Sequence, residues 1–92
     1  MKQVRIVVTG LVQGVWFRAW TIEEAKKRGL CGWVRNRHGG SVEALFAGDP
    51  GEVDAMLAAC RKGPPMAQVK DVRLHDAGGE TAPKGFEQRP DA

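Results

Sequence analysis

One junction constrains this chain more than any other stretch: the segment Gly10-Leu11-Val12-Gln13-Gly14-Val15-Trp16-Phe17-Arg18. Before it, Val4-Arg5-Ile6-Val7-Val8 alternates at period two and predicts a strand over Val4–Thr9. After it, Ala19-Trp20-Thr21-Ile22-Glu23-Glu24-Ala25-Lys26-Lys27-Arg28 predicts a helix that stops at Gly29. A helix start ordinarily carries Ser, Thr, Asp or Asn as cap and acids in its first turn, because its unpaired N–H groups act as roughly half a positive charge. Gly14 to Arg18 holds none of these, and Arg18 adds a positive charge where the helix end disfavours one. Free amides beside a guanidinium are completed by an anion, which makes the segment a phosphate-sized socket. Gly14 supplies the positive φ that lets the amides of Val15, Trp16, Phe17 and Arg18 turn inward. Two plainer readings stand beside this one: Gly14 as an ordinary turn glycine, and Arg18 as a side chain extending into water.

The remaining elements set the architecture. Leu30–Asn36 and Ser41–Phe46 read as strands joined through Arg37-His38-Gly39-Gly40, a hairpin signal, with Val42, Ala44 and Phe46 sharing one face. Asp49 as cap, Pro50 in the first turn and Glu52 three residues on open a second helix, in which Val53, Met56, Leu57 and Cys60 recur at helical spacing up to Gly63-Pro64-Pro65. The first helix is less regular, because Trp20, Ile22 and Ala25 make no single narrow stripe. Val69, Val72 and Leu74 mark a strand over Ala67–His75. A mobile polar connection is expected at Ala77–Lys84, and Gly85-Phe86-Glu87 offers a short edge strand. The order β-α-β-β-α-β, plus that fifth strand, predicts an α+β fold. Its expected form is a ferredoxin-like split βαβ sandwich, with two helices packed on one face of an antiparallel sheet. The first and third strands would be central, bringing the loop after the first strand close to the end of the second.

Ninety-two residues, 42% hydrophobic, predict one domain over 1–92 and leave no space for a second catalytic one. The net charge of +3 is spread along the chain, which favours a small anionic ligand over nucleic acid. No long apolar stretch or signal-like start is present, so the expected setting is the cytoplasm, with no membrane association. Cys31 and Cys60 lack zinc-site spacing and a neighbouring His, and both read as reduced, buried apolar residues. No spacing suggests a metal site. His38 and His75 have no partner carboxylate and read as solvated.

Asn36, at a strand end before a glycine-rich turn, admits two roles. Its amide can satisfy nearby backbone groups, as Asn often does in turns. It can also hold a water through one donor and one acceptor if it faces the glycine loop. Phe17, Trp20 and Trp33 read as core, and Trp16 as a rim residue.

These residues resemble the acylphosphatase family. Val8-Thr9-Gly10-Leu11-Val12-Gln13-Gly14-Val15-Trp16-Phe17-Arg18 fits its first signature. Gly32-Trp33-Val34-Arg35-Asn36, then Gly40-Ser41-Val42 and Gly48, fits the second. Trp16 falls at a variable position, and Cys31 replaces a residue often polar in the family. The resemblance implies hydrolysis of the carboxyl–phosphate bond of small acyl phosphates to a carboxylate and inorganic phosphate, by a monomer needing no metal or cofactor. It implies that Gly14, Val15, Trp16, Phe17 and Arg18 bind the phosphate, with Arg18 as clamp, and that Asn36 positions the attacking water. Two alternatives stand beside it, the first from the same resemblance and the second from the order of elements. One is a non-catalytic module binding phosphate or carbamoyl phosphate. The other is an RNA-binding domain, which would need base-stacking aromatics on the two central strands.

Overall fold

Alternation at Ile6 and Val8 sets the inner face of the first strand, and the whole sheet is built on it. The computed structural model describes residues 1–92 as Lys2–Leu11 (β1), Phe17–Lys27 (α1), Cys31–Asn36 (β2), Val42–Gly48 (β3), Pro50–Lys62 (α2), Gln68–Asp76 (β4) and Phe86–Gln88 (β5). The sheet order is β4-β1-β3-β2-β5, so β1 and β3 lie inside it as expected. Ile6 stands opposite Ala44 on β3 and Leu74 on β4, and Val8 opposite Val42 and Val72. Cross-strand rows of this kind form the floor on which both helices sit.

Between Thr9 and Gly10 the β1–β4 register shifts, so that Thr9 faces Asp71 while Gly10 faces Val69. The bulge turns Val69 and Val72, three residues apart, toward the same core, which a strict period of two forbids. Gly10 is required there: a Cβ would stand 2.2 Å from the Gln68 carbonyl oxygen, at φ +121°.

On α2 the Asp49 carboxylate accepts from the Glu52 amide at 3.2 Å, Pro50 opens the helix, and Val53, Met56, Leu57 and Cys60 are buried. Each such side chain contributes about 1.5–3 kcal/mol of burial for the larger apolar types. Helix α1 buries Phe17, Thr21 and Ala25, a stripe at i, i+4 and i+8. Its middle member is polar and is satisfied within the helix, the Thr21 hydroxyl donating to the Phe17 carbonyl at 2.8 Å. That Thr is why the stripe is hard to see in sequence.

Three features depart from the sequence expectation. β5 runs parallel to β2, Phe86 opposite Gly32, so the sheet is mixed and only its other four strands are antiparallel throughout. To reach that edge from β4 at the far side, the Ala77–Lys84 connection crosses the face away from the helices. There the Gln3 amide donates to the Ala77 and Glu80 carbonyls at 2.5 and 2.6 Å. Trp33 is buried as expected, but with Leu45 and Ala77 on that second face, its ring flanked by the guanidiniums of Arg35 and Arg89 at 4.9 and 5.2 Å. Finally, Cys60 is buried but Cys31 is only half-buried. Burial pushes the Cys60 thiol up to about 12, so it is not a nucleophile near neutrality.

The second face also holds Glu43, 5% exposed, between Arg5 at 2.9 Å and Arg35 at 2.7 Å. Burial alone would raise its carboxyl pKa, but hydrogen bonds and charge from Arg35 and then Arg5 outweigh it and hold the group below its ordinary value.

Candidate active site

The chain leaves β1 through Val12 and Gln13 and enters α1 with no capping side chain. Trp16 occupies the cap position at φ 67°, ψ 17°, and the first helical turn has no acid. Helix α1 begins at Phe17, two residues before the Ala19 suggested by the sequence, so Phe17 and Arg18 belong to its first turn. The first helical hydrogen bond runs from the Trp20 amide to the Trp16 carbonyl at 3.0 Å. None of the amides from Gly14 to Ala19 donates to an acceptor in the chain. Gly14 sits at φ +74°, a conformation that favours glycine, with open space where a Cβ would be. A row of free N–H groups at a helix N-terminus has the donors and the positive end of the helix dipole that suit an anion.

Arg18 and Asn36 wall the same cavity, of about 330 Å³, together with Val12, Gly14, Trp16, Phe17, Ala19 and Gln88. The Arg18 side chain is one-third exposed, and its nearest charged partner is Asp91, Nη1 to Oδ1 at 3.5 Å. A contact that long to a half-exposed carboxylate is weak, so the guanidinium keeps most of its donors for another anion.

Asn36 ends β2 at 9% exposure, and its Oδ1 is buried without a hydrogen-bond partner. The turn-capping reading of this residue therefore does not apply: its acceptor satisfies no backbone donor. An orphaned acceptor of this kind ordinarily carries a penalty of about 1–3 kcal/mol and persists where function uses it.

Two residues that the sequence did not single out complete the geometry. The Gln13 amide donates to the Arg37 and Ser41 carbonyls, both at 2.8 Å, and so ties the glycine loop to the β2–β3 hairpin that carries Asn36. Only its long polar side chain in a glycine-rich loop hints at this. Gln88 arrives from β5, beyond any local signal. Past β5 the chain continues along β2, Arg89 N–H to the Val34 carbonyl at 2.9 Å and Ala92 N–H to the Asn36 carbonyl at 3.0 Å.

Elsewhere, no three His, Cys, Asp or Glu side chains are grouped so as to hold a metal ion, and His38 and His75 are both exposed. No helix is long and apolar enough to cross a membrane. The outward faces of the central strands carry Arg5, Val7, Glu43 and Leu45, without a stacking aromatic, while Phe46 is buried on the helix side.

Comparison with known proteins bears on the fold and the family. The family model described as Acylphosphatase matches residues 4–88. An acylphosphatase of Rhodospirillum rubrum is 53% identical over 90 residues, covering 98% of both chains. One of Rhizorhabdus wittichii is 54% identical over 86 residues, covering 94% of this chain and 86% of that one. The crystal structure of the acylphosphatase from Bacillus subtilis superposes with a TM-score of 0.91 at 37% identity, over 97% of this chain and 99% of that one. With its fold and nearly its whole length matched, this chain belongs to the acylphosphatase family.

Proposed function

We infer that this protein is an acylphosphatase, hydrolysing the carboxyl–phosphate bond of small acyl phosphates, and that residues 1–92 act as one domain. The phosphoryl oxygens accept hydrogen bonds from the amides of Gly14, Val15, Trp16, Phe17 and Arg18 and from the Arg18 guanidinium, whose planar fork suits them. The Asn36 amide holds the attacking water. As the water oxygen bonds to phosphorus, the bond to the acyl oxygen breaks and its electron pair leaves on the carboxylate. The water's proton passes to an oxygen of the bound phosphate. The conjugate acid of this leaving group has a pKa of about 4, so departure needs no strong general acid. Catalysis then rests on positioning and on donors fixed around the transferring group, with no metal or cofactor.

The observation that carries this reading is the unpartnered, buried Asn36 Oδ1 on the wall of the cavity that the free loop amides and Arg18 also line. We propose further that the protein works as a cytoplasmic monomer, on a small diffusible anion and without nucleic acid. In support of the small diffusible anion, the +3 charge is dispersed along the sequence. Hydrolysis of benzoyl phosphate, followed by absorbance with chelator-treated protein and inorganic phosphate as competitor, tests the function. Turnover that survives the chelator and falls with phosphate is expected. Binding without turnover would instead leave a passive phosphate module.

A further inference from the structure

The three tryptophans have different fates. Trp33 is buried and Trp20 half-buried, but Trp16 leaves 78% of its surface exposed. It is also the one non-glycine residue with positive φ, at 67°, a backbone conformation that bulky side chains rarely adopt. Strain and exposure of a large apolar ring coincide at the wall of the functional cavity. Neither serves the core, because Trp16 packs in no buried cluster.

The cavity lining shows what the ring can touch. The function proposed above, on which this inference rests, assigns the loop amides and Arg18 to the phosphoryl group and Asn36 to water. The lining residues not so assigned are Val12, Ala19 and Gln88, and two residues of the cradle, Trp16 and Phe17, add aromatic side chains beside them. Val12 and Phe17 are buried, Ala19 is small and Gln88 is polar, so the exposed Trp16 ring is the broad apolar surface open to an acyl group leaving the cradle. Its amide lies in the row that faces the phosphate, and its side chain starts from the same residue. The acyl carbon of a bound substrate is one bridging oxygen from phosphorus. A flat apolar acyl group therefore falls within reach of the ring and can stack on it, as a methyl group cannot to the same extent.

We propose that the Trp16 indole is the acyl-group contact of this enzyme and makes it favour acyl phosphates with aromatic acyl groups over small aliphatic ones. The test compares kcat/KM for benzoyl phosphate and acetyl phosphate in the wild type and in Trp16→Gly, Trp16→Asn and Trp16→Phe. Glycine and asparagine both tolerate the backbone at this position, so one of them serves if the other fails to fold. Damage to the cradle lowers both rates together, since the phosphoryl group is common to both substrates; the ratio isolates the side chain. Truncation is expected to lower the benzoyl-to-acetyl ratio by about three- to tenfold, the scale of one aromatic pair, chiefly through KM, with Trp16→Phe keeping most of it.

A second readout is independent of turnover: calorimetric binding of phenacyl phosphonate against acetonyl phosphonate, non-hydrolysable mimics of the same two substrates. Its affinity ratio is expected to fall in parallel. Ratios unchanged by truncation, in rate and in binding, overturn the proposal. If the wild type turns over neither substrate while the binding ratio still depends on Trp16, the hydrolase reading fails and the acyl contact stands.

Discussion

Asn36→Ala separates catalysis from folding more sharply than any other substitution in this chain. The side chain is 9% exposed and its Oδ1 is buried without a partner, so the native state already carries the cost of that orphan, about 1–3 kcal/mol. Truncation removes the orphan and leaves a small gap, two effects of opposite sign. The net change in stability is expected to stay within about 1 kcal/mol, or about 4–8 °C in Tm for a domain of this size. Activity follows a different account. If the amide fixes the attacking water, its loss removes positioning in the transition state and lowers kcat by about 10²–10³, equivalent to about 2.7–4 kcal/mol. Inhibition by inorganic phosphate should be retained, because the loop amides and Arg18 are untouched. Steady-state hydrolysis of benzoyl phosphate and thermal unfolding of the same preparation decide the matter. A folded variant with kcat within threefold of the wild type would refute the role given to Asn36. A variant that loses several kcal/mol of stability would show that its amide serves the fold.

Other substitutions probe the remaining parts. Arg18→Gln keeps a polar side chain but not the charged fork; it should lower kcat/KM by about 100-fold or more and weaken phosphate inhibition, read in the same assay. Gly14→Ala places a Cβ at φ +74°, where space is open but the backbone is strained; a loss of about 1–2 kcal/mol by urea unfolding, with weaker phosphate inhibition, is expected. Glu43 is held below its ordinary pKa, so its contribution is fully present above the unfolded value, near 4.3, and fades as pH falls from there through the lowered folded value. Glu43→Gln should therefore lose about 2 kcal/mol at pH 7, less than the about 3–5 kcal/mol of a fully buried pair because both arginines keep contact with water, and should narrow its gap to the wild type near pH 3. Equal gaps at both pH values would contradict the ion-pair account.

Local chemistry was legible in this sequence wherever a residue acts on its near neighbours. Asp49, Pro50 and Glu52 open α2, Gly29 follows α1, and the missing cap before Phe17 is visible in the letters themselves. Alternation at Val42, Ala44 and Phe46 identified the inner face of β3. That Leu45 is buried as well follows from the Ala77–Lys84 connection lying over the second face, a nonlocal event with no period to announce it. The same holds for β5, three residues long, whose parallel pairing with β2 brings Gln88 to the cavity. Arg18 could be singled out because a cation at a helix start is a local conflict. Asn36 could not be separated from an ordinary turn residue until its unpartnered oxygen was seen. The left-handed backbone of Trp16, where the loop meets α1, runs against the preference of its own side chain.

In the proposed mechanism the main-chain N–H groups of the glycine loop receive the phosphoryl oxygens. Titrating ¹⁵N-labelled protein with inorganic phosphate and following amide resonances tests it most directly. The resonances from Gly14 to Ala19 are expected to shift furthest, saturating together at the concentration that inhibits turnover. Shifts centred anywhere else, with those amides unmoved at inhibitory phosphate, would contradict it.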